Sequence, residues 1–483
     1  MPLKRTKIIC TLGPACADID VLAKMIDGGM DIARLNFSHG DYATHTAHIQ
    51  HVRSLETALN RPLGILADLM GPRIRVGVLE APVEIAKGDM VIFTSRVPKA
   101  RSKNPTFVPL TTLGLAVHIK PGEPIMVGDG MIECVVTATD RDAVITKVVR
   151  GGTITTGRGI NMPKSSLSSA AFTEKDKLDC KFALKQGVDM IALSFVRSAA
   201  DIIELREFIK KYAPKGATTL PMIIAKIEHK DAVKQFTQIL NVADGIMIAR
   251  GDLGIEMPSE EVPLIQKRII AQCVEAAKPV IVATQLLQSM TSEPRPTRAE
   301  VSDIANAVID HTDACMLSEE TAVGEYPVEA VEVMTRVMKE TEGSNYDDVL
   351  LLPDLLRKRA PIQKYVTRLV PLLAALPQVK AILITGESLT MARVIASLRP
   401  ELPMVFATPS LSHSRSACLS WGVYPLHLPK DASQDMLSHG LAFMVRRDIV
   451  AVGDTIVHCT SDEKPPYRME VTITPRLMDV SAA

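Results

Sequence analysis

Eight short β-branched runs, each followed by an amphipathic helical pattern, set the tightest limit on what this chain can fold into. The runs are 6–12, 31–37, 62–69, 188–196, 222–228, 244–250, 279–285 and 313–318. Strands that alternate with helices pair in parallel, and eight of them in about 240 residues of scaffold have the size and rhythm of a (β/α)8 barrel. In that architecture the residues at the C-terminal strand ends converge on one pocket.

The rhythm is interrupted once and then replaced. Between residues 71 and 164 helical patterns give way to Gly, Asp, Pro and Val, as in Ala86-Lys87-Gly88-Asp89 and Val127-Gly128-Asp129-Gly130. Short strands joined by tight turns predict a small all-β domain, a β-barrel lid inserted after the third strand at the catalytic face. From Val379 a second alternation begins, with runs at 381–385, 404–408, 423–428, 449–459 and 469–473. The expected organisation is therefore a barrel over 1–70 and 165–342, a lid over 71–164, and a C-terminal α/β regulatory or assembly domain over 343–483. A chain of 483 residues is long enough for three such cores.

Lysine plus arginine equals aspartate plus glutamate at 55 each, so no global field favours nucleic acid or an anionic membrane. Anion recognition must be local. The eight cysteines include no CxxC pair and no zinc spacing, which predicts reduced, buried thiols in a cytoplasmic protein. The N-terminal apolar run Ile8-Ile9-Cys10 is far too short for a signal sequence or a membrane span.

The chemistry concentrates on two consecutive runs. In Ile223-Ile224-Ala225-Lys226-Ile227-Glu228 the strand period puts Lys226 and Glu228 on the face of Ile224, inside an otherwise apolar segment. Burying both charges is costly unless they serve a ligand. The next run ends in Arg250-Gly251-Asp252-Leu253-Gly254. Asp252 there reads either as a helix N-cap or, with Glu228, as a hard oxygen ligand for a divalent cation. Other strand ends add Arg34, Asn36 and Ser38, then Asp68, then Ser194 and Arg197, and finally Thr284. Arg34 taken alone is a solvated or structural arginine, and Lys226 alone is a lysine snorkelling from a strand end. Their convergence favours a phosphate or enolate site.

At this point the sequence resembles the pyruvate kinase family over nearly its whole length. The resemblance rests on Lys7 to Pro14, Ala33-Arg34-Leu35-Asn36-Phe37-Ser38-His39-Gly40, Asp68 with Gly71-Pro72-Arg73-Ile74-Arg75, Ala225 to Glu228, Ala249 to Gly254, and Ala283-Thr284-Gln285 through Glu300. It implies transfer of a phosphoryl group from phosphoenolpyruvate to ADP, giving ATP and pyruvate, with Mg2+ or Mn2+, in a cytoplasmic homotetramer. It implies that Glu228 and Asp252 hold the metal and that Lys226, Arg34 and Arg75 balance phosphoryl charge. Gly251, Ser194 and Thr284 would contact substrate, Thr284 orienting the proton donor for the enolate. Two other readings stand beside it: a metal-dependent lyase or aldolase acting on pyruvate enolates, and a catalytically silent metabolite sensor.

The resemblance also implies a monovalent-cation site at Asn36, Ser38, Asp68 and the Leu69 carbonyl. Arg73 stands where potassium-dependent members carry glutamate, so a fixed cation replaces the bound one and K+ is not expected to be required. As a plain surface arginine, Arg73 would carry no such meaning. ADP is expected near Asn36, His39, Arg75 and Arg158, the last replacing a common lysine. Thr385, Ser388 and Thr390 match a hydroxyl-rich effector loop. Leu389 replaces its usual glycine, Glu387 adds negative charge, and Ser461 to Pro466 stands in place of a late glycine-rich loop. A nucleotide or sugar monophosphate is therefore expected rather than fructose 1,6-bisphosphate. Simple N-capping by Ser388 or Thr385 explains the same residues.

Overall fold

Parallel strands Lys7–Thr11, Ile32–Asn36, Gly64–Asp68, Met190–Leu193, Met222–Ile227, Gly245–Ala249, Val280–Ala283 and Ala314–Leu317 hydrogen-bond in sequential order and close, the eighth beside the first. This computed structural model describes residues 4–72, 74–95, 105–111, 119–128, 130–140, 142–162, 171–216, 219–347, 370–374, 376–428, 435–460 and 469–473. Each strand lies inside its predicted run, shorter by a few residues.

In the fourth and seventh strands the shortening has a cause. The fourth strand stops at Leu193 because Phe195 is left-handed, with φ 54°. The seventh stops at Ala283 because Thr284 and Gln285 are both left-handed, at 73° and 57°. Two successive positive φ values in residues with side chains are strained.

Inside the barrel a buried cluster gathers Ile9, Ile32, Leu66, Met190, Ile224, Met247, Ile281 and Ala314. Two residues further along their strands, on the same face, Ile32, Leu66 and Ile224 are followed by Arg34, Asp68 and Lys226. The barrel thus has an apolar floor and a charged upper layer. Cys418 and Leu419 of the C-terminal region join the floor cluster and plug the bottom. Arg399 pairs there with Asp313 at 3.2 Å, and Arg415 pairs with Glu56.

Residues between the third strand and the helix Glu174–Gln186 form a seven-stranded sheet and a separate two-stranded one. The edge strands Ile74–Arg75 and Thr106–Pro109 meet beyond their ends through the bridge Val76 to Leu110, with Gly77 donating to the Pro109 carbonyl at 2.8 Å. The sheet therefore curls on itself around its own core of Val91, Phe93, Ile125 and Val144. The C-terminal sheet has strands Val423–His427, Met404–Thr408, Val379–Thr385 and Thr455–Thr460 in parallel, with Met469–Ile473 antiparallel at one edge. The run expected from Ile449 begins as a strand only at Thr455, since left-handed Asp448 and Gly453 turn the chain first.

All eight cysteines are buried with free thiols. Among the described residues no helix is long and apolar enough to cross a membrane.

Candidate active site

The charged upper layer is one connected network. Asp68 ends the third strand fully buried. Its Oδ2 accepts from Arg34 Nε at 2.8 Å and lies 2.8 Å from the same guanidinium's second nitrogen. Its Oδ1 lies 3.1 Å from Lys226 Nζ. Burial alone would raise the Asp68 carboxyl, but Lys226 and Arg34 overcome it and hold the group below the usual carboxylate range. Arg34 is further fixed by donating to Thr11 Oγ1 at 2.8 Å, and Thr11 donates to the Leu317 carbonyl. Sequence reasoning gave Thr11 no role, although it lies within a motif that carried the resemblance.

Lys226 is only 8% exposed, which rules out snorkelling. Its Nζ donates to Ser194 Oγ at 2.7 Å and lies 3.0 Å from Glu228 Oε1. Burial would strip the ammonium of its proton, yet Asp68 and Glu228 raise its pKa above the ordinary lysine value, so it is charged. Ser194 in turn donates to the Leu69 carbonyl at 2.7 Å. The other oxygen of Glu228 accepts the Phe195 amide at 2.7 Å, which the left-handed turn at Phe195 presents to it.

Burial pushes the Glu228 carboxyl up; Lys226 opposes this, and the nearby charge of Asp252 adds to it. Asp252 lies in the first turn of the helix Arg250–Glu256, whose N-cap is Ala249, so Asp252 is not the capping residue. A buried carboxylate repelled by a half-buried one is a donor set that a divalent cation would relieve. Among the described residues no group of three or more His, Cys, Asp or Glu side chains could hold a metal alone. The pair therefore fits an ion that takes its remaining oxygens from substrate, as Mg2+ does.

Thr284 closes the other side. Its Oγ1 accepts the Gly251 amide at 2.9 Å and donates to the Ala283 carbonyl at 2.6 Å. Arg250 holds the strained turn by donating to the Thr284 carbonyl at 2.6 Å while pairing with Asp303 at 2.7 Å.

The remaining predicted residues are more dispersed. After the second strand, Asn36 Oδ1 accepts the Ser38 amide at 3.1 Å, and the His39 carbonyl takes His45 Nε2 at 3.1 Å. Lys175, which sequence reasoning missed, anchors this loop by donating to the Phe37 carbonyl at 2.9 Å. The spare acceptors of the expected monovalent site are thus partly used: Asp68 by Arg34 and Lys226, and Leu69 by Ser194. Arg73 lies outside the described residues. Arg75 and Arg158 belong to the inserted sheet, where Arg75 pairs across with Gly159 and donates to the Gly157 carbonyl at 2.8 Å. Arg158 is exposed and donates to Thr155 Oγ1 at 3.3 Å.

In the C-terminal sheet Thr385 is buried and bonded to His458 Nε2 at 2.9 Å. Ser388 caps the helix Leu389–Ala396 by accepting the Thr390 amide. The two hydroxyls therefore have structural partners of their own. Ser461 to Pro466 lie outside the described residues.

Two family models match the chain: the pyruvate kinase barrel domain over residues 3–331 and the pyruvate kinase alpha/beta domain over 368–466. The pyruvate kinase of Thermococcus litoralis is 40% identical over 458 residues, spanning 93% of this chain and 95% of that one. That of Geobacillus stearothermophilus is 39% identical over 459 residues, spanning 94% of this chain and 77% of the relative. The Schizosaccharomyces pombe enzyme is 38% identical over 472 residues, spanning 94% and 91%. With the closed barrel, the inserted sheet and the α/β region in the order these matches require, the chain belongs to the pyruvate kinase family and is a phosphotransferase.

Proposed function

We propose that this barrel end carries out phosphoryl transfer from phosphoenolpyruvate to ADP with the following division of labour. The observation that supports it is Lys226 Nζ held within about 3 Å of Asp68, Glu228 and Ser194 at once. Glu228 and Asp252 would hold Mg2+ or Mn2+, which supplies Lewis-acid stabilisation for substrate oxygens. Lys226 and Arg34 present fixed positive charge to the phosphoryl group, whose three oxygens carry the charge through transfer. Their positions are set beforehand by Asp68, so the electrostatic reorganisation is small when the reaction occurs. Gly251 and Ser194 border the same space.

The enolate left behind needs a proton on its methylene carbon. Lys226, tied to three acceptors, serves charge stabilisation rather than acid catalysis. Thr284 would orient the donor, its hydroxyl held by the Gly251 amide. ADP would lie between the Asn36–His39 loop and the inserted sheet, with Arg75 and Arg158 reaching its phosphates.

The same reading takes the monovalent-cation role at Asn36, Ser38, Asp68 and Leu69 to be filled by Arg73, so that K+ is dispensable. It takes the Thr385, Ser388 and Thr390 loop as the seat of a monophosphate effector, the enzyme as a homotetramer, and its compartment as the cytoplasm.

The test is a coupled assay for pyruvate and ATP from phosphoenolpyruvate and ADP, with and without a divalent cation. Turnover that vanishes on chelation and returns with Mg2+ is the expected result. A folded protein with no turnover under those conditions would restore the silent-sensor reading.

A further inference from the structure

The helix Glu174–Gln186 begins with a capping box, in which Asp176 answers the N-cap Thr173. An ordinary capping box needs one carboxylate oxygen. Here Oδ2 does that work, accepting from the Thr173 amide at 2.9 Å and the Thr173 hydroxyl at 2.6 Å. Oδ1 takes something distant instead: the amide of Gly71 at 3.0 Å, 105 residues earlier in the chain. Gly71 is where the chain leaves the barrel for the inserted sheet, and Phe172 and Thr173 are where it has come back. The carboxylate of Asp176, fully buried, therefore ties the outgoing and returning connections together at one point.

We propose that Asp176 is the hinge pin of the inserted sheet, and so a positioning residue for phosphoryl transfer. Gly71 has φ 69°, and a Cβ there would lie 3.0 Å from Phe195 Cδ2 and 3.1 Å from Ser194 Cβ. The pivot consequently rests on the two residues that bond Lys226 and Glu228. Four residues beyond Gly71, Arg75 completes the short first strand of the sheet, Ile74–Arg75. The distance from pivot to Arg75 is too short to absorb error, so a displaced pivot displaces that guanidinium relative to Lys226. The neighbouring Lys175 holds the Phe37 carbonyl from the same helix turn. One helix start thus references the Asn36–His39 loop and the inserted sheet to a common frame. A misplacement of about 1 Å in such a frame costs up to about a hundredfold in rate.

This inference rests on the proposed reading of the inserted sheet as the carrier of nucleotide-binding arginines. Asp176→Asn keeps size and removes charge, and sets an amide donor against either the Gly71 or the Thr173 N–H group. The expected result is faster hydrogen exchange at the Gly71 amide and kcat/KM for ADP lowered about tenfold or more. Binding of Mn2+ alone, followed by its paramagnetic signal, should stay within about twofold of the parent, because Glu228 and Asp252 are untouched. The control is Asp201→Asn, which breaks the capping box of the helix Ala199–Tyr212 and should lower thermal stability with parental kinetics. If Asp176→Asn behaves like this control, Asp176 is only a cap and the inference is overturned. Should that variant fail to fold, Asp176→Glu keeps the charge and shifts the pivot by one methylene, with the same kinetic loss expected and parental kinetics again overturning it. Arg75→Ala in the same series separates the two ideas. Parental ADP kinetics in Arg75→Ala overturns the nucleotide-binding reading of the sheet, whereas a loss there with parental kinetics in Asp176→Asn overturns the hinge alone.

Discussion

Lys226 and Glu228 leave one strand on the same side, with Nζ and Oε1 3.0 Å apart at the mouth of the barrel. A pair so close is self-neutralising, and in a site built only for stability it would be poorly used. Its sense comes from the surroundings. Asp68, Glu228 and Asp252 supply three negative charges against two positive ones from Arg34 and Lys226. On the proposed reading, a divalent cation held by Glu228 and Asp252 would reverse that imbalance and leave the site attractive to an anionic substrate.

Replacing Lys226 by methionine should therefore act on rate far more than on assembly of the metal site. Phosphoryl transfer is expected to fall by about 10² to 10³ or more, the range for losing one preorganised charge donor. Mn2+ binding should persist and tighten, since the cation that competes for Glu228 has gone. Near-parental turnover would defeat the assignment. The apo variant should also be less stable by about 3–5 kcal/mol, because Asp68 and Glu228 lose a buried partner. Chemical denaturation with and without Mn2+ reads this directly.

Thr284→Ala removes the hydroxyl while keeping a side chain at φ 73°. Enolate protonation should slow by about a hundredfold, with Mn2+ affinity unchanged. Thr284→Ser should recover most of the activity. Stability should fall by only about 1 kcal/mol, the cost of leaving the Gly251 amide without its acceptor. Equal losses in Thr284→Ala and Thr284→Ser would point to packing of the methyl group instead.

The barrel was legible because period and polarity agree along each strand. Ile224 and Lys226, or Leu66 and Asp68, sit two residues apart and so share a face, which the alternation alone predicts. The ends of strands were less legible. Phe195 and Thr284 follow apolar runs in the sequence but take left-handed backbone, where the Phe195 amide is claimed by Glu228 and the Thr284 carbonyl by Arg250. Such claims come from other strands and leave no local mark. Asp176 shows the same limit: Thr173-x-x-Asp176 announces a capping box, while the bond to Gly71 is visible only in three dimensions. Lys175 was missed for a similar reason, since its partner is a backbone carbonyl.

Exchanging K+ for tetramethylammonium should leave most activity in place, on the reading that Arg73 supplies the missing positive charge. Arg73→Glu should make the enzyme depend on K+. A collapse of parental activity without K+ refutes the role given to Arg73 and returns Asn36, Ser38, Asp68 and Leu69 to cation binding.

The far end of the barrel offers a test of stability against pH. Lys7 is 2% exposed beneath the barrel, donating to the Val423 carbonyl at 2.6 Å and lying 4.8 Å from the Tyr424 ring centre. Burial lowers its pKa to about 8, against partial support from Asp31. Between about 8 and 10.5 the unfolded chain therefore carries a proton that the folded protein lacks, so stability rises with pH across that window. Below it both states are charged and the folded state bears the full burial cost, about 3 kcal/mol from a shift of that size. Lys7→Met should lift that cost and lose about 1 kcal/mol for the bond to Val423. The variant is thus expected to be more stable than the parent by about 2 kcal/mol near neutral pH, with the rise between pH 8 and 10.5 flattened. Urea denaturation at neutral pH and near pH 10 decides it. A destabilised variant with an unchanged pH slope would mean that Asp31 keeps Lys7 fully charged and that the ion pair outweighs the burial.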